Sequence, residues 1–156
     1  MSLTGEILVL SGPNLDLLGE RDPALYGTQT LAQVIERVGA RAARYGLSTR
    51  HLQSNAESDL IVAVHEARQA SVAIIVNAGA LTHTSWALTD ALELFAGVKV
   101  EVHLSNPAAR EPFRHLSTLA RVVDGTVAGF GALGYELAVD AVASLLGAAG
   151  GSARLD

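Results

Sequence analysis

The chain has 156 residues, of which 49% are hydrophobic, and a formal net charge of −5 at pH 7. This length fits one domain with its own core, while the acidic balance and dispersed arginines exclude a nucleic-acid-binding class and the lack of cysteine excludes thiol catalysis, disulfides and cysteine-ligated zinc. No apolar run approaches the ~20 residues of a membrane span and no signal peptide is recognisable, so we expect a cytoplasmic protein with no membrane partner.

The predicted elements alternate short apolar strands with longer helices. The first strand covers Glu6–Ser11, and a helix follows over residues 31–45, with Thr30 and Gln33 spaced as a capping box and Gly46 as its stop. The second strand covers residues 47–53, and the next helix covers 59–70 behind Ser58 as a candidate cap.

The second half of the chain continues this alternation. The sequence SVAIIVN predicts a buried third strand ending at Asn77, followed by a helix over 85–95, a strand over Val98–His103, a fifth strand over 126–130 and a helix over 133–146. The tail after about residue 147 is expected to fray. Alternating βα units with apolar strands indicate an α/β, flavodoxin-like doubly wound five-stranded parallel sheet of order 2-1-3-4-5, forming a single domain over residues 1–156.

A long polar segment, GPNLDLLGERDPALYGTQT, follows the first strand. Connections between a strand and a helix usually take two to six residues, so this segment is too long to be only a connection. It carries Asn14, Arg21 and Tyr26. We predict that it closes over a crevice.

Polar side chains also follow the third and fourth strands. In an open parallel sheet, ligands bind beyond the carboxyl ends of the strands where the strand order reverses, here between strands one and three. Each side chain has an ordinary explanation, such as an interface aromatic, a surface ion pair, a core histidine or a turn residue. Their convergence favours a functional site composed of Asn14, Arg21, Tyr26, Asn77, His83, His103, Ser105 and Arg114.

Two further patterns concern acid–base chemistry and anion binding. Glu101 and His103 are two residues apart on one strand and therefore share a face. A carboxylate there would fix the imidazole tautomer and stabilise the imidazolium of a general acid, or form an ordinary ion pair. The segment LTHTS precedes a helix and could bind an anion, or Thr84 could simply cap that helix.

The segment GFGALG, with Gly129, Gly131 and Gly134, matches the glycine pattern of dinucleotide-binding folds. Such a site also needs a following strand with an acidic residue about 20 residues further on, and the chain reaches Asp156 without one. We interpret the glycines as close strand–helix packing. Lys99 is the only lysine and hence the one candidate for a Schiff base.

Taken together, LSGPNLDLLGERDPALYG, QSNAES, NAGALTHTSWALTDAL, EVHLSN, REPFRHLS and GFGALGY resemble type II 3-dehydroquinate dehydratase. The blocks occur in order and cover residues 7–137. The resemblance implies a flavodoxin-like dodecamer, a tetramer of trimers, acting in the shikimate pathway. The family converts 3-dehydroquinate to 3-dehydroshikimate by anti elimination of water, with neither a metal nor a cofactor.

The resemblance also implies roles for individual residues. Tyr26 corresponds to the base that takes the C2 proton, and Arg21 to its activator. Asn14 would hold a water against the enolate oxygen, and His103, oriented by Glu101, would protonate the departing C1 hydroxyl. The residues expected to bind the substrate carboxylate and hydroxyls are Asn77, His83, Leu104, Ser105 and Arg114, while Asp90 is expected to reach a neighbouring subunit's site.

Ser11, Pro107 and Pro112 depart from the family pattern. Ser11 replaces the usual Asn and could alter the support of the loop, and the prolines could stiffen the chain beyond Ser105. A different function remains open from the residues alone: a non-catalytic flavodoxin-like module that binds a nucleotide or flavin. A scaffold domain would explain the sheet but not the clustered Arg, Tyr and His.

Overall fold

The chain forms a parallel sheet in the predicted strand order. The computed structural model describes residues 2–150, and its five strands lie in the order β2-β1-β3-β4-β5. The strands are β1 (Glu6–Ser11), β2 (Ser48–Gln53), β3 (Ala73–Asn77), β4 (Val98–His103) and β5 (Gly125–Ala128). The predicted flavodoxin-like topology is confirmed, although β5 begins one residue earlier and ends two residues earlier than predicted.

Helices cover both faces of this sheet. They are α1 (Pro23–Tyr26), α2 (Leu31–Ala43), α3 (Glu57–Ala70), α4 (Trp86–Glu93) and α5 (Leu133–Gly150). The single turn α1 was not predicted, and it lies inside the long segment after β1. The Asp22 carboxylate accepts the Ala24 N–H at 3.0 Å and caps it, with Pro23 at its first position.

The helix starts confirm one predicted cap and contradict another. The capping box of α2 is present: the Thr30 hydroxyl accepts the Gln33 N–H, and the Gln33 side chain accepts the Thr30 N–H. The prediction that Ser58 caps α3 is wrong, because the helix begins earlier and its N-cap is Ala56. The Ser54 hydroxyl accepts the Ala56 N–H at 3.0 Å, so an upstream serine closes this helix start.

The last two helices differ from expectation at their ends. Ser85, not Thr84, caps α4 by accepting the Leu88 N–H at 3.0 Å. The backbone of α5 remains helical to Gly150, three residues beyond the point where fraying was expected. The rest of the expected frayed tail, residues 151–156, lies outside the described residues.

Two hydrophobic layers flank the sheet, and the alternation of strand residues assigns each side chain to one of them. Ile7 and Val9 of β1 pack in the layer with α2 and α5, whereas Leu8 and Leu10 pack in the layer with α3 and α4. By the same alternation, Ser11 ends β1 on the α2/α5 face. The polar residues at the ends of the strands therefore lie on both faces of the sheet and not on one alone.

Candidate active site

A cavity of about 150 Å³ opens at the carboxyl edge of the sheet, where the strand order reverses. All but two of the predicted site residues line it. Those lining the cavity are Asn14, Arg21, Tyr26, Asn77, His83, His103, Leu104, Ser105 and Arg114. The exceptions are Glu101, which lies beneath His103, and Asp90, which is exposed on α4.

The loops after β1 and β3 meet backbone to backbone at the base of the cavity. The Gly12 N–H donates to the Asn77 carbonyl at 2.8 Å. A Cβ on Gly12 would lie 2.5 Å from the Ala78 carbonyl oxygen, and one on Gly79, which has φ +58°, would lie 2.9 Å from the Pro13 carbonyl oxygen. Only glycine permits this approach, which brings the two loops together at the switch point.

Tyr26, the last residue of α1, lies beside two guanidinium groups. The Arg21 Nη2 lies 3.5 Å from the Tyr26 hydroxyl, and its Cζ lies 4.5 Å from the centre of the ring. The Arg110 Cζ lies 5.5 Å from the same centre, and its Nη1 donates to the Ser105 hydroxyl at 3.2 Å. The phenol therefore faces the cavity with two guanidinium groups beside it.

His103 is held by a buried carboxylate. Its Nε2 lies 2.6 Å from Glu101 Oε2, and the Ser117 hydroxyl donates to the other carboxylate oxygen at 2.7 Å. Glu101 is only 2% exposed. Because Nε2 is directed to Glu101, Nδ1 is the ring nitrogen that can exchange a proton with a ligand in the cavity.

Asn77 ends β3 on the opposite face of the sheet and is also held by a buried group. Its Nδ2 donates to the Tyr135 hydroxyl at 3.1 Å, and its Oδ1 accepts the Gly79 N–H at 3.2 Å. Burial raises the pKa of Tyr135 to about 12, so this phenol keeps its proton at neutral pH. The nearby Ser11 hydroxyl offsets a small part of this rise in the pKa and lies 2.9 Å from His51 Nε2.

Asn14 has a left-handed backbone conformation, with φ 69°. Its N–H donates to Asn55 Oδ1 at 2.9 Å, and Gln53 Nε2 donates both to Asn55 Oδ1 and to the Gly12 carbonyl at 3.2 Å. A non-glycine residue with positive φ is uncommon and needs support. The end of β2 supplies that support to the loop.

The remaining predicted lining residues come from the segments after β3 and β4. His83 Nδ1 lies 2.7 Å from the Leu116 carbonyl, and Arg114 Nε donates to Glu111 at 2.6 Å. The pKa of Glu111 is lowered mainly by a hydrogen bond from its own backbone N–H, and next by the hydrogen bond from Arg114. Pro107 and Pro112 each begin a 3-10 turn, so the prolines that depart from the family pattern fit the local backbone.

The glycine-rich loop before α5 supports the end of β4. The Gly129 N–H donates to the His103 carbonyl at 3.2 Å, and the Gly131 N–H donates to the Leu104 carbonyl at 3.0 Å. A Cβ on Gly134 would meet only ordinary contacts, the nearest at 3.6 Å. Close packing therefore does not explain Gly134, and the role of the loop is to fix the backbone at His103 and Leu104.

Arg110, Ser117 and Tyr135 were not predicted as site residues. Arg110 begins the block REPFRHLS, but an arginine among charged neighbours is ordinarily a surface residue. Tyr135 follows the glycine-rich loop and has the spacing of a core aromatic on α5. Lys99 lies at the opposite end of β4 from His103, with its amine 2.6 Å from the Phe95 carbonyl.

Two kinds of structure are absent from residues 2–150. No helix in this range is long and apolar enough to cross a bilayer. In the same range, no three His, Asp or Glu side chains are grouped so that they could hold a metal ion.

A doubly wound sheet with a phenol–arginine pair and a carboxylate-held imidazole at its switch point defines a flavodoxin-like α/β protein with an acid–base site. The model of one family, dehydroquinase class II, matches residues 5–143. The chain belongs to this family.

Individual relatives agree with the family match. The chain is 50% identical over 143 residues to a 3-dehydroquinate dehydratase of Cereibacter sphaeroides, covering 92% of this chain and 97% of the relative. It is 53% identical over 137 residues to one of Marinobacter nauticus, covering 86% and 93%. The crystal structure of type II dehydroquinase from Propionibacterium acnes superposes with a TM-score of 0.87 at 38% identity, covering 92% and 99%.

Proposed function

We propose that the cavity removes water from 3-dehydroquinate with Tyr26 as the base and His103 as the acid. The overall activity follows from the family: the chain has 3-dehydroquinate dehydratase activity, a hydro-lyase reaction of the shikimate pathway. The assignment of roles rests on one observation. A phenol beside two arginines and an imidazole bound to a buried carboxylate line the same cavity.

The first step removes the C2 proton of the substrate. This proton is adjacent to the C3 ketone, so its loss gives an enolate. A phenol ordinarily ionises near pH 10, and a nearby cation favours the ionised form. Arg21 supplies that cation to Tyr26. The Tyr26 oxygen takes the proton, and the electrons of the broken C2–H bond form a C2–C3 double bond as the ketone becomes the enolate. Asn14 holds a water against the enolate oxygen and stabilises its charge.

The second step expels the C1 hydroxyl. The enolate electrons return to re-form the C3 carbonyl and make the C1–C2 double bond, while the C1–O bond breaks. Hydroxide is a poor leaving group, so His103 donates its Nδ1 proton and water departs. Glu101 stabilises the imidazolium before this transfer. An anti elimination requires the base and the acid to act on opposite faces of the ring; here the base comes from the loop after β1 and the acid from the end of β4.

Binding of the substrate uses the remaining lining residues. Arg21, Arg110 and Arg114 make the cavity cationic although the chain as a whole has a net charge of −5. Such a cavity favours an anionic ligand. The proposed contacts to the carboxylate and hydroxyls come from Asn77, His83, Arg114 and the backbone of Leu104 and Ser105.

The assembly and location stay part of the proposal. We expect a dodecamer built as a tetramer of trimers, with Asp90 reaching the site of a neighbouring subunit. Asp90 is exposed on α4 and does not line the cavity of its own chain, in keeping with a role across an interface. A cytoplasmic location also remains a prediction.

The direct test is to add 3-dehydroquinate to the purified protein and follow the ultraviolet band of the enone product. We expect the band to grow with the amount of protein added. A protein that gives no enone, but that is yellow or absorbs strongly at 260 nm after purification, would instead be a flavin- or nucleotide-binding module.

A further inference from the structure

The α2/α5 face of the sheet carries two neighbouring hydrogen-bonded pairs of polar side chains outside the acid–base groups. His51 on β2 is hydrogen-bonded to Ser11 on β1, and Tyr135 on α5 to Asn77 on β3. The Ser11 hydroxyl is close enough to Tyr135 to offset part of the rise in the pKa of its phenol, which joins the two pairs into one chain of polar groups. Ser11 and Tyr135 are fully buried, and Asn77 is 3% exposed. Asn77 lines the cavity, whereas the other three residues do not. The chain therefore leads from the interior of the sheet to one cavity residue.

We propose that His51, Ser11 and Tyr135 are positioning residues that hold the Asn77 amide as a hydrogen-bond donor to the bound substrate. This inference rests on the proposed function, in which Asn77 contacts the substrate. A primary amide nitrogen carries two hydrogens. Tyr135 receives one of them at 3.1 Å, and the other can be donated to an oxygen in the cavity.

The donors and acceptors of the chain fit a single direction. The Tyr135 oxygen accepts from Asn77, so its own proton is available for the Ser11 oxygen. Ser11 can then donate to His51 Nε2, 2.9 Å away, if the imidazole proton is on Nδ1. Burial lowers the pKa of His51 and favours its neutral form, which can accept this bond. His51 thus orients the Ser11 hydroxyl, Ser11 orients the Tyr135 hydroxyl, and Tyr135 orients the Asn77 amide.

The register of the sheet explains why these residues meet. Ser11 is paired with Asn77 on one side and with Gln53 on the other, and His51 lies two residues before Gln53 on the same face. Tyr135 covers this face from α5, in the same layer as Val9 and Ile75. A rotation of the Asn77 amide would break its bonds to Tyr135 and to the Gly79 N–H at once.

The test measures KM and kcat of variants that interrupt the chain at different points. Tyr135→Phe and Ser11→Ala each remove one hydroxyl without adding volume. Loss of one net hydrogen bond corresponds to about a three- to tenfold change. We expect KM to rise by about this factor with kcat changed less than about twofold. His51→Leu should raise KM similarly, and His51→Gln, which retains an acceptor, should restore it.

A matched control separates positioning from stability. Tyr45→Phe also removes a phenol hydroxyl that is hydrogen-bonded to α5, through Asp140 at 2.7 Å, but Tyr45 does not line the cavity or join this chain. It should reduce the urea midpoint and leave KM unchanged. If Tyr135→Phe and Ser11→Ala behave like Tyr45→Phe, with wild-type KM, the inference is overturned.

A double-mutant cycle identifies the residue through which the chain acts. In an Asn77→Ala background, Ser11→Ala should have no further effect on KM, whereas independent effects would multiply and contradict the inference. The cycle also separates this inference from the proposed function. If Asn77→Ala raises KM but Ser11→Ala and Tyr135→Phe do not, only the positioning role fails. If Asn77→Ala leaves KM at the wild-type value, the proposed substrate contact of Asn77 fails and the inference fails with it.

Discussion

The Glu101 carboxylate accepts hydrogen bonds at both of its oxygens, from His103 and Ser117, in a nearly inaccessible place. A buried charge is tolerated when it is paired and hydrogen-bonded, and here the pairing also orients the imidazole. At the scale of single residues, His103 is therefore the group whose removal should slow cleavage of the bond between C1 and the leaving oxygen.

We expect His103→Ala to lower kcat by about 10²–10⁴, the range for loss of a general acid. Exchange of the C2 proton with solvent should survive, since the enolate can still form. Both rates can be measured on one sample, exchange by NMR in deuterated water and turnover by ultraviolet absorbance. Ser117→Ala, which leaves the His103–Glu101 contact in place, should have a smaller effect. Turnover of His103→Ala at the wild-type rate would reassign the acid.

The chemistry-bearing residues were easier to predict than those that support them. Tyr26 follows β1 and His103 is the last residue of β4, at the carboxyl edge where parallel sheets bind ligands. Tyr135 could not be distinguished in the sequence from a core aromatic, because its function in the structure comes from its hydroxyl meeting Asn77 across two elements distant in sequence.

At the scale of elements, α2 and α5 are joined by a polar cluster. Arg41 Nε donates to Asp140 Oδ1 at 2.7 Å and Nη2 donates to Oδ2 at 2.5 Å, while the Tyr45 hydroxyl donates to Oδ1 at 2.7 Å. The Arg41 hydrogen bond is the main cause that lowers the pKa of Asp140. Both charged side chains are about 30% exposed, so solvent limits the gain.

Asp140→Asn should lower the free energy of unfolding by about 1 kcal/mol at pH 7. A carboxyl whose pKa is lower in the folded state stabilises the fold above its unfolded pKa, near 4. The difference between wild type and variant should therefore shrink as the pH falls below about 4 and disappear once the pH has fallen past the lowered pKa of the folded state. Urea titrations at several pH values would measure it. Glu66→Gln, on the exposed side of α3, is the control. A difference that persists unchanged at pH 3 would contradict this explanation.

The length of β4 leads to a second prediction at this scale, that Lys99 does not form a Schiff base with the substrate. Lys99 and His103 lie on the same strand four residues apart, or about 13 Å at 3.3 Å per residue. Borohydride added with 3-dehydroquinate should therefore leave the activity intact, since Lys99 cannot reach the reacting carbons. Inactivation that depends on substrate, with a mass adduct on Lys99, would show a Schiff base.

The observed element boundaries agree with the predicted ones where the signal involves only residues close together in the sequence. The capping box at Thr30 and Gln33 needs only residues three apart, and it is present as predicted. The start of α3 was misplaced because the Ser54 hydroxyl, further upstream, bonds the Ala56 N–H. The short turn α1 was missed because four residues give too little periodicity to recognise.

At the scale of the whole molecule, large apolar side chains remain exposed near α4 and the segment after β4. Trp86, Leu94, Phe113 and Leu116 are each more than half exposed. A surface of this kind is typical of a protein that associates. Light scattering should accordingly give a mass near twelve chains, and Asp90→Ala should lower activity although Asp90 lies outside its own chain's cavity. A monomer that is active at assay concentration would contradict the assembly.

The topology of the whole chain was predictable because alternating βα units with apolar strands permit few arrangements. The arrangement of the loops at the carboxyl edge of the sheet was less predictable. The contact between the Gly12 and Gly79 loops depends on two segments that are more than sixty residues apart in the sequence and approach to backbone distance. Such approaches are set by the completed sheet rather than by local residue preferences.

The central claim is that the Tyr26 oxygen takes the C2 proton with help from Arg21, and the pH dependence of kcat in two variants tests it most directly. Tyr26→Phe should reduce kcat by about 10²–10⁴ at every pH while product binding changes little. Arg21→Ala should lose a similar amount at neutral pH and recover part of it towards pH 10, where a phenol ionises unaided. If Tyr26→Phe instead retains more than about a tenth of the wild-type kcat, far above the range for a lost general base, Tyr26 is not the base.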